Sequence, residues 1–258
     1  ISQVIEFSKF LLFADDLKLY SEIKSLSDTD RLQADINSVH KWSVNNCLYF
    51  NLSKCNIMSY SRKTNYIQSE YSMNSEALER VFETTDLGII FTSQMDFTKH
   101  IDSMCRMAIR RLGYIKRTCK KFQNPASLKA VYNALVRSKL EYGALIWSPF
   151  YDNKIDKIER IQTSFLRFLL FQISKTYSFR APYQFVLSLF QCDRLETRRD
   201  AHCVKFITDL TRGRIDDSIA LARLRFKIPD GRLRTRNETF QIDLARTNEF
   251  ANSPLVRS

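Results

Sequence analysis

The hydrophobic pattern of this 258-residue chain becomes helical throughout from about residue 97, after short mixed runs, and that change constrains the fold more than any other feature. From Phe97 onward apolar residues recur at helical spacing. Phe97, Ile101, Met104, Cys105, Ala108, Leu112, Ile115, Cys119 and Phe122 share an arc of about 100° at the 3.6-residue period, the width of a core-packing face. A second helix opens with Asn124 as cap and Pro125 at its first position, carries Leu128, Val131, Tyr132 and Leu135 inward, and ends near Tyr142-Gly143. After the break at Trp147-Ser148-Pro149, a third is read from Ile155, Ile158, Ile161, Phe165 and Leu169. Short connections make the three a bundle. Asp193 and Glu196, at capping-box spacing, introduce a further helix that stops at Gly213. Beyond Pro229-Asp230-Gly231 the chain turns polar, with Arg232, Arg234 and Arg236 interleaved, and carries no assignable pattern.

Before residue 96 the apolar runs are short. Phe10 to Ala14 is wholly apolar, Asp15 and Asp16 interrupt it, and Leu17-Lys18-Leu19-Tyr20 alternates with period two, which reads as a hairpin with the two acids at its tip. Ser27-Asp28-Thr29-Asp30 offers N-caps ahead of Leu32, Ile36, Val39 and Trp42, one face of a helix. Cys55 to Tyr60 and Leu87 to Phe91 add short strands. The order strand, strand, helix, strand, strand fits a helix packed on one face of a small antiparallel sheet. Five Gly and five Pro, against nineteen Phe and eleven Tyr, disfavour a fold with many tight turns. The expected class is α+β, weighted to helix, in three regions: 1–95, 96–175 and 176–258.

Charge and cysteine usage narrow the partners. Forty Lys and Arg against twenty-eight Asp and Glu leave a formal charge of +12, which suits a polyanion, nucleic acid first and an acidic membrane surface second. On the helix after residue 97, Arg106, Arg110, Arg117, Lys120 and Lys121 fall opposite the apolar arc with no acid among them. A phosphate-tracking surface and a plain solubility face both fit that stripe. The six cysteines show no C-x-x-C pair and no zinc-finger spacing, so we expect reduced thiols in an intracellular protein, nuclear or cytoplasmic. Phe165 to Phe171, the longest apolar run, is broken by Arg167 and too short to span a bilayer, and the N-terminus does not read as a signal peptide. The start at Ile1, without Met, suggests a piece of a longer protein.

Asp15 and Asp16 pose the chemical question. Adjacent like charges after an apolar strand are tolerated if exposed, if one is protonated, or if metal ions neutralise them. Phe13-Ala14-Asp15-Asp16 resembles the Y/F-A-D-D motif of reverse transcriptases, and the rest of the chain resembles the non-LTR (LINE-type) retrotransposon enzymes. Leu32-Gln33-Ala34-Asp35 with Trp42, and Asn51-Leu52-Ser53-Lys54-Cys55, resemble the helix and strand after the family's catalytic hairpin. Leu87-Gly88-Ile89 with Phe97, His100 and Ile101 is similar to its palm-to-thumb transition. Leu140-Glu141-Tyr142-Gly143, Trp147, Pro149, Ile158-Glu159 and Gln162 are similar to its thumb, and Arg198-Arg199 to the region after it.

The resemblance implies a partial palm, a helical thumb and a helical, basic C-terminal extension of an RNA-directed DNA polymerase. It implies two Mg²⁺ ions, with Asp15 a direct ligand and Asp16 supporting the site, and an RNA template with a DNA primer, or an RNA–DNA hybrid, as partner. Deoxynucleoside triphosphates would be substrates of the intact enzyme. It places Lys54 near the incoming phosphates as charge stabiliser or general acid; a surface lysine after a turn is the plain alternative. The family also uses an Asp from an upstream strand that is missing here with the fingers, so the chain alone is expected not to polymerise. Two other readings stay open: a non-catalytic nucleic-acid-binding remnant of a mobile element, and a helical protein-interaction scaffold. His40 and His100 read as structural and His202 as a core histidine. Tyr49, Phe50 and Tyr60 suit either base stacking or a core.

Overall fold

The computed structural model describes residues 1–61, 63, 65–122, 124–175, 181–226 and 240–241. The chain divides between Asp96 and Phe97 into two units, mixed α and β before the division and almost wholly helical after it. The polar segment with Arg232, Arg234 and Arg236 lies outside the described residues.

In the first unit, β1 (Lys9–Phe13) and β2 (Asp16–Tyr20) form an antiparallel ladder that pairs Phe13 with Asp16 across a two-residue turn. Because directly opposed residues share a face, Phe10, Leu12, Leu17 and Leu19 make one apolar face, while Leu11, Phe13, Lys18 and Tyr20 lie on the other. Helix α1 (Leu26–Asn45) follows. Its cap is Ser25, two residues before the expected segment, because the Asp28 carboxylate turns back to accept from the Lys24 and Ser25 N–H groups at 3.0 and 2.9 Å.

The remaining strands are short: β3 (Asn56–Ile57), β4 (Ser72–Met73), β5 (Glu76–Ala77), β6 (Glu79–Arg80), β7 (Glu83–Asp86) and β8 (Ile89–Thr92). They do not join into the single antiparallel sheet expected from their order. β4 pairs with β5 and β7 with β8 as separate hairpins, and β3 pairs with β6 in parallel. The reason is visible in the turns. Leu87 and Gly88, expected inside a strand, occupy a tight turn with φ of 46° and 81°, and Asn74 and Ser75 do the same at 54° and 65°. Positive φ at both central positions matches the twist of paired strands and closes each hairpin on itself.

Ile36, Tyr71 and Met73 are the buried centre of this unit, with Leu19, Leu32, Phe50, Leu52, Ile57 and Leu78 packed around them. Two polar side chains of α1 fasten it to its neighbours. Gln33 acts as a strand residue would, accepting from the Ser72 N–H at 2.9 Å and donating to the Ser72 carbonyl at 2.8 Å. The buried Asp35 carboxylate accepts from the consecutive N–H groups of Glu6, Phe7 and Ser8 at 2.9, 3.1 and 2.6 Å, fixing the approach to β1. Burial works to raise the Asp35 pKa, but these hydrogen bonds outweigh it and hold the carboxyl below its ordinary value.

The second unit contains α2 (Thr98–Thr118), α3 (Pro125–Tyr132), a π-helical turn (Asn133–Arg137), α4 (Ser138–Glu141), α5 (Ala144–Trp147), α6 (Asp152–Ser174), α7 (Tyr183–Leu189), α8 (Leu195–Thr211) and α9 (Ser218–Arg223). Ile101, Met104, Cys105, Ala108, Leu112 and Ile115 of α2 are buried with Ile155, Ile158, Ile161, Phe165 and Leu169 of α6. Phe122 is 47% exposed instead, because the helix ends at Thr118 and its period no longer applies. Asn124 caps α3 by accepting from the Ala126 N–H at 2.9 Å, with Pro125 in the first turn.

The π turn then changes which residues face inward. After Leu128 and Tyr132 of α3, its wider coil buries Val136, brings Leu140 of α4 inward after it, and leaves Leu135, expected inside, 40% exposed. Among the described residues no helix is long and apolar enough to cross a membrane.

Candidate functional site

Asp15 and Asp16 stand exposed at the turn between β1 and β2. Ala14 enters that turn at φ 51°, a left-handed conformation that costs an L-residue about 1 kcal/mol and aims the chain sharply back. Being exposed, the pair presents carboxyl oxygens, hard donors, to water. That donor set fits Mg²⁺, which is held through one or two carboxylates plus substrate phosphates while keeping several waters. The fit is partial: among the described residues no group of three His, Cys, Asp or Glu side chains is gathered to hold a metal ion.

Lys54 ends a 3₁₀ turn (Leu52–Lys54) and is exposed. Asn51 starts the turn by accepting from the Ser53 N–H at 3.2 Å. The side chains of Asp15, Asp16 and Lys54 are not joined to one another by any hydrogen bond or ion pair among the described residues.

A neighbour of the acidic pair is engaged elsewhere. Lys18 lies two residues beyond Asp16 on the same face of β2, and its Nζ is 2.5 Å from Oδ1 of Asp86, the residue that precedes the Leu87-Gly88 turn. The side chains of Lys18 and Asp86 are 36% and 26% exposed. Tyr60 shares this corner: burial, and then the Asp86 charge, push its phenol pKa up. No local sequence pattern announces a pairing across 68 residues, and period-two spacing assigns Lys18 only a strand position.

In the second unit, Arg106, Arg110 and Arg117 are exposed on α2, and Lys120 and Lys121 are exposed just beyond its end. The stripe is less purely basic than its charges suggested, since Met107, Ile109 and Tyr114 are exposed on the same helix. Two further cations of α2 are committed to the fold. Arg111 donates to the Leu135 carbonyl at 3.0 Å, and Lys116 donates to Ser164 Oγ at 2.8 Å while lying over the Phe168 ring. Desolvation lowers the Lys116 pKa.

Other residues that carry the family resemblance serve architecture. Glu141 receives the Arg198 guanidinium through both oxygens, tying α4 to α8. Buried Glu159 accepts from Tyr183 Oη and from the Glu196 N–H at 2.8 Å, so a carboxylate of α6, rather than Asp193, caps α8. Burial raises the Tyr183 pKa and the Glu159 hydrogen bond adds to it. Gln162 donates to Tyr183 Oη at 3.0 Å and to the Asp193 carbonyl at 2.8 Å. His100 is buried with its ring 5.4 Å from that of Trp147, and burial lowers its pKa. His202 is half-buried, beside the core face of α8 that Leu195, Cys203, Ile207 and Leu210 supply.

Compared with known proteins, the chain matches no family model, no curated protein and no solved structure.

Proposed function

We propose that the chain is the C-terminal palm, thumb and post-thumb portion of a non-LTR-type RNA-directed DNA polymerase, and that it binds a template–primer duplex through its phosphates. The observation that carries this reading is the hairpin turn at which Asp15 and Asp16 are both exposed to solvent. Asp15 and Asp16 would hold Mg²⁺ together with the phosphates of the incoming nucleotide. A metal held there would supply activation of an attacking hydroxyl and charge stabilisation on the leaving oxygen. The protein's part is to fix the two carboxylates on a strained turn, so that little reorganisation accompanies ligation. Arg106, Arg110, Arg117, Lys120 and Lys121 track the duplex backbone, and Tyr114 and Met107 offer apolar contact between the cations.

Titrating an RNA–DNA template–primer at several salt concentrations tests the binding surface. Replacing the five cations with Gln is expected to weaken binding and flatten the salt slope, by about 0.9 for each phosphate of duplex DNA that is no longer neutralised. Binding that ignores salt sinks the surface. A primer-extension assay with Mg²⁺ tests the acidic pair: the family's site uses a further Asp beside these two, so the chain alone is expected not to extend a primer. Robust synthesis that Asp15→Ala abolishes would instead make the 258 residues a self-sufficient polymerase. In a binding-only reading, favoured by the exposure of the α2 cations irrespective of the acids, Asp15→Ala changes nothing measurable.

A further inference from the structure

We infer that the open edge of β1 is a self-association site whose occupant is β1 of a second copy of this chain, paired antiparallel; the inference does not depend on the polymerase reading. Phe13 and Asp16 close the two-residue turn as a hydrogen-bonded pair. The alternation of the ladder then aims the N–H and C=O groups of Lys9, Leu11 and Phe13 at β2, and those of Phe10 and Leu12 outward. Among the described residues nothing meets that outward row, because the ladder has two strands only. No proline interrupts the edge, and its single charge, Lys9, stands at one end.

The strand is complementary to itself. Lys9–Phe13 is centred on Leu11, so full overlap of two antiparallel copies sets Leu11 opposite Leu11, and the outward groups of Phe10 and Leu12 bond to those of Leu12 and Phe10 in the other copy. Directly opposed residues share a face, which puts Lys9 of one copy in a row with Phe13 and then Asp16 of the other. Two strand spacings, about 10 Å, separate the Lys9 and Asp16 Cα atoms, and the lysine reaches across the Phe13 ring to the carboxylate. The two-fold axis makes this contact a second time. Lys9, Asp15 and Asp16 are exposed and join no ion pair among the described residues, so their charges are free for it. Lys18, the other cation of that face, is held by Asp86, and the Leu11 pair stands between it and its copy.

The area sets the strength. Phe7, Leu11, Leu12, Phe13 and Tyr20 are 53%, 58%, 55%, 60% and 44% exposed, and they offer on the order of 500 Å² of apolar surface per copy. A pair burying about 1,000 Å² lies at the lower bound for a specific interface, so the dimer is weak and depends on concentration.

Sedimentation equilibrium of the full chain over a wide range of loading concentrations at low salt tests this. Wild type is expected to rise from the mass of one copy toward that of two and to stop there. Leu11→Lys, which sets two ammonium groups against each other at the axis, should weaken association at least about tenfold. Lys9→Glu and Asp16→Lys should each weaken it about fivefold, since each turns a symmetric pair of attractions into repulsions. The decisive comparison is the double variant Lys9→Glu/Asp16→Lys, which restores the pairing with its signs exchanged and should return to within about twofold of wild type. A double variant no stronger than its parents overturns the register and the inference with it. A mass of one copy at every concentration overturns it as well and leaves the edge to a strand of different sequence. Growth past two copies does the same, because open-ended strand addition is not a closed pair.

Discussion

Three consecutive N–H groups, those of Glu6, Phe7 and Ser8, converge on the Asp35 carboxylate, so one residue of α1 sets the path by which the chain enters β1. Asp35→Asn keeps the shape but replaces one acceptor oxygen with a donor facing those N–H groups. It is expected to destabilise the first unit by about 2 kcal/mol, measured as a shift in urea midpoint. The same carboxylate predicts a pH signature. Its folded pKa lies below the ordinary value of 3.8, so its stabilisation is complete above that value and is lost as pH falls through the depressed folded pKa. The difference in stability between wild type and Asp35→Asn should therefore be flat near neutrality and shrink below about pH 4. A difference that grows on acidification would mean the nest does not hold the ionised carboxylate.

At the scale of elements, the π turn gives a test of register. Leu128→Ala is expected to cost about 3 kcal/mol, since it empties a fully buried position, whereas Leu135→Ala should cost under about 1 kcal/mol. A plain α-helix would make the two alike. The long helices were legible in the sequence because each writes its packing face several times over: Ile101 to Ile115 and Ile155 to Leu169 are buried as their spacing requires. The sequence hides events that depend on one residue or on distant partners. Nothing in Asn133-Ala134-Leu135-Val136-Arg137 announces the wider coil. The turn at Ala14 places a residue other than glycine or asparagine at positive φ, so the usual turn signature is missing there. The cap of α8 is supplied by Glu159, 37 residues earlier, which no local motif encodes. At the candidate site, the position of Asp15 and Asp16 at a hairpin turn followed from the strand pattern, whereas their exposure was one of three conditions the sequence left open. No hydrogen bond or ion pair among the described residues joins them to Lys54, and the Asp86 partner of Lys18 could be found only in three dimensions.

For the whole molecule, the division at Asp96 separates two cores of very different size. The first unit buries few large side chains around Ile36, Tyr71 and Met73, whereas the second buries Trp147, Phe165 and a row of Leu and Ile along α2, α6 and α8. Small cores are marginal, because burial must offset the entropy of every ordered residue. Thermal unfolding should therefore show two transitions, with hydrogen exchange assigning the lower to residues before Asp96 and most helical circular dichroism surviving it. A single transition in which both units lose protection together would show that they fold as one.

Among the described residues the β1–β2 ladder has no third strand on either side, and Leu11 and Phe13 of its second face are 58% and 60% exposed. The run Phe7-Ser8-Lys9-Phe10-Leu11-Leu12-Phe13 carries one charge and no proline to discourage strand addition. Shelf life in concentrated solution is thus governed by these seven residues more than by the +12 charge of the whole chain. The strand that would carry nucleotide chemistry is also the one that would make the preparation turn cloudy.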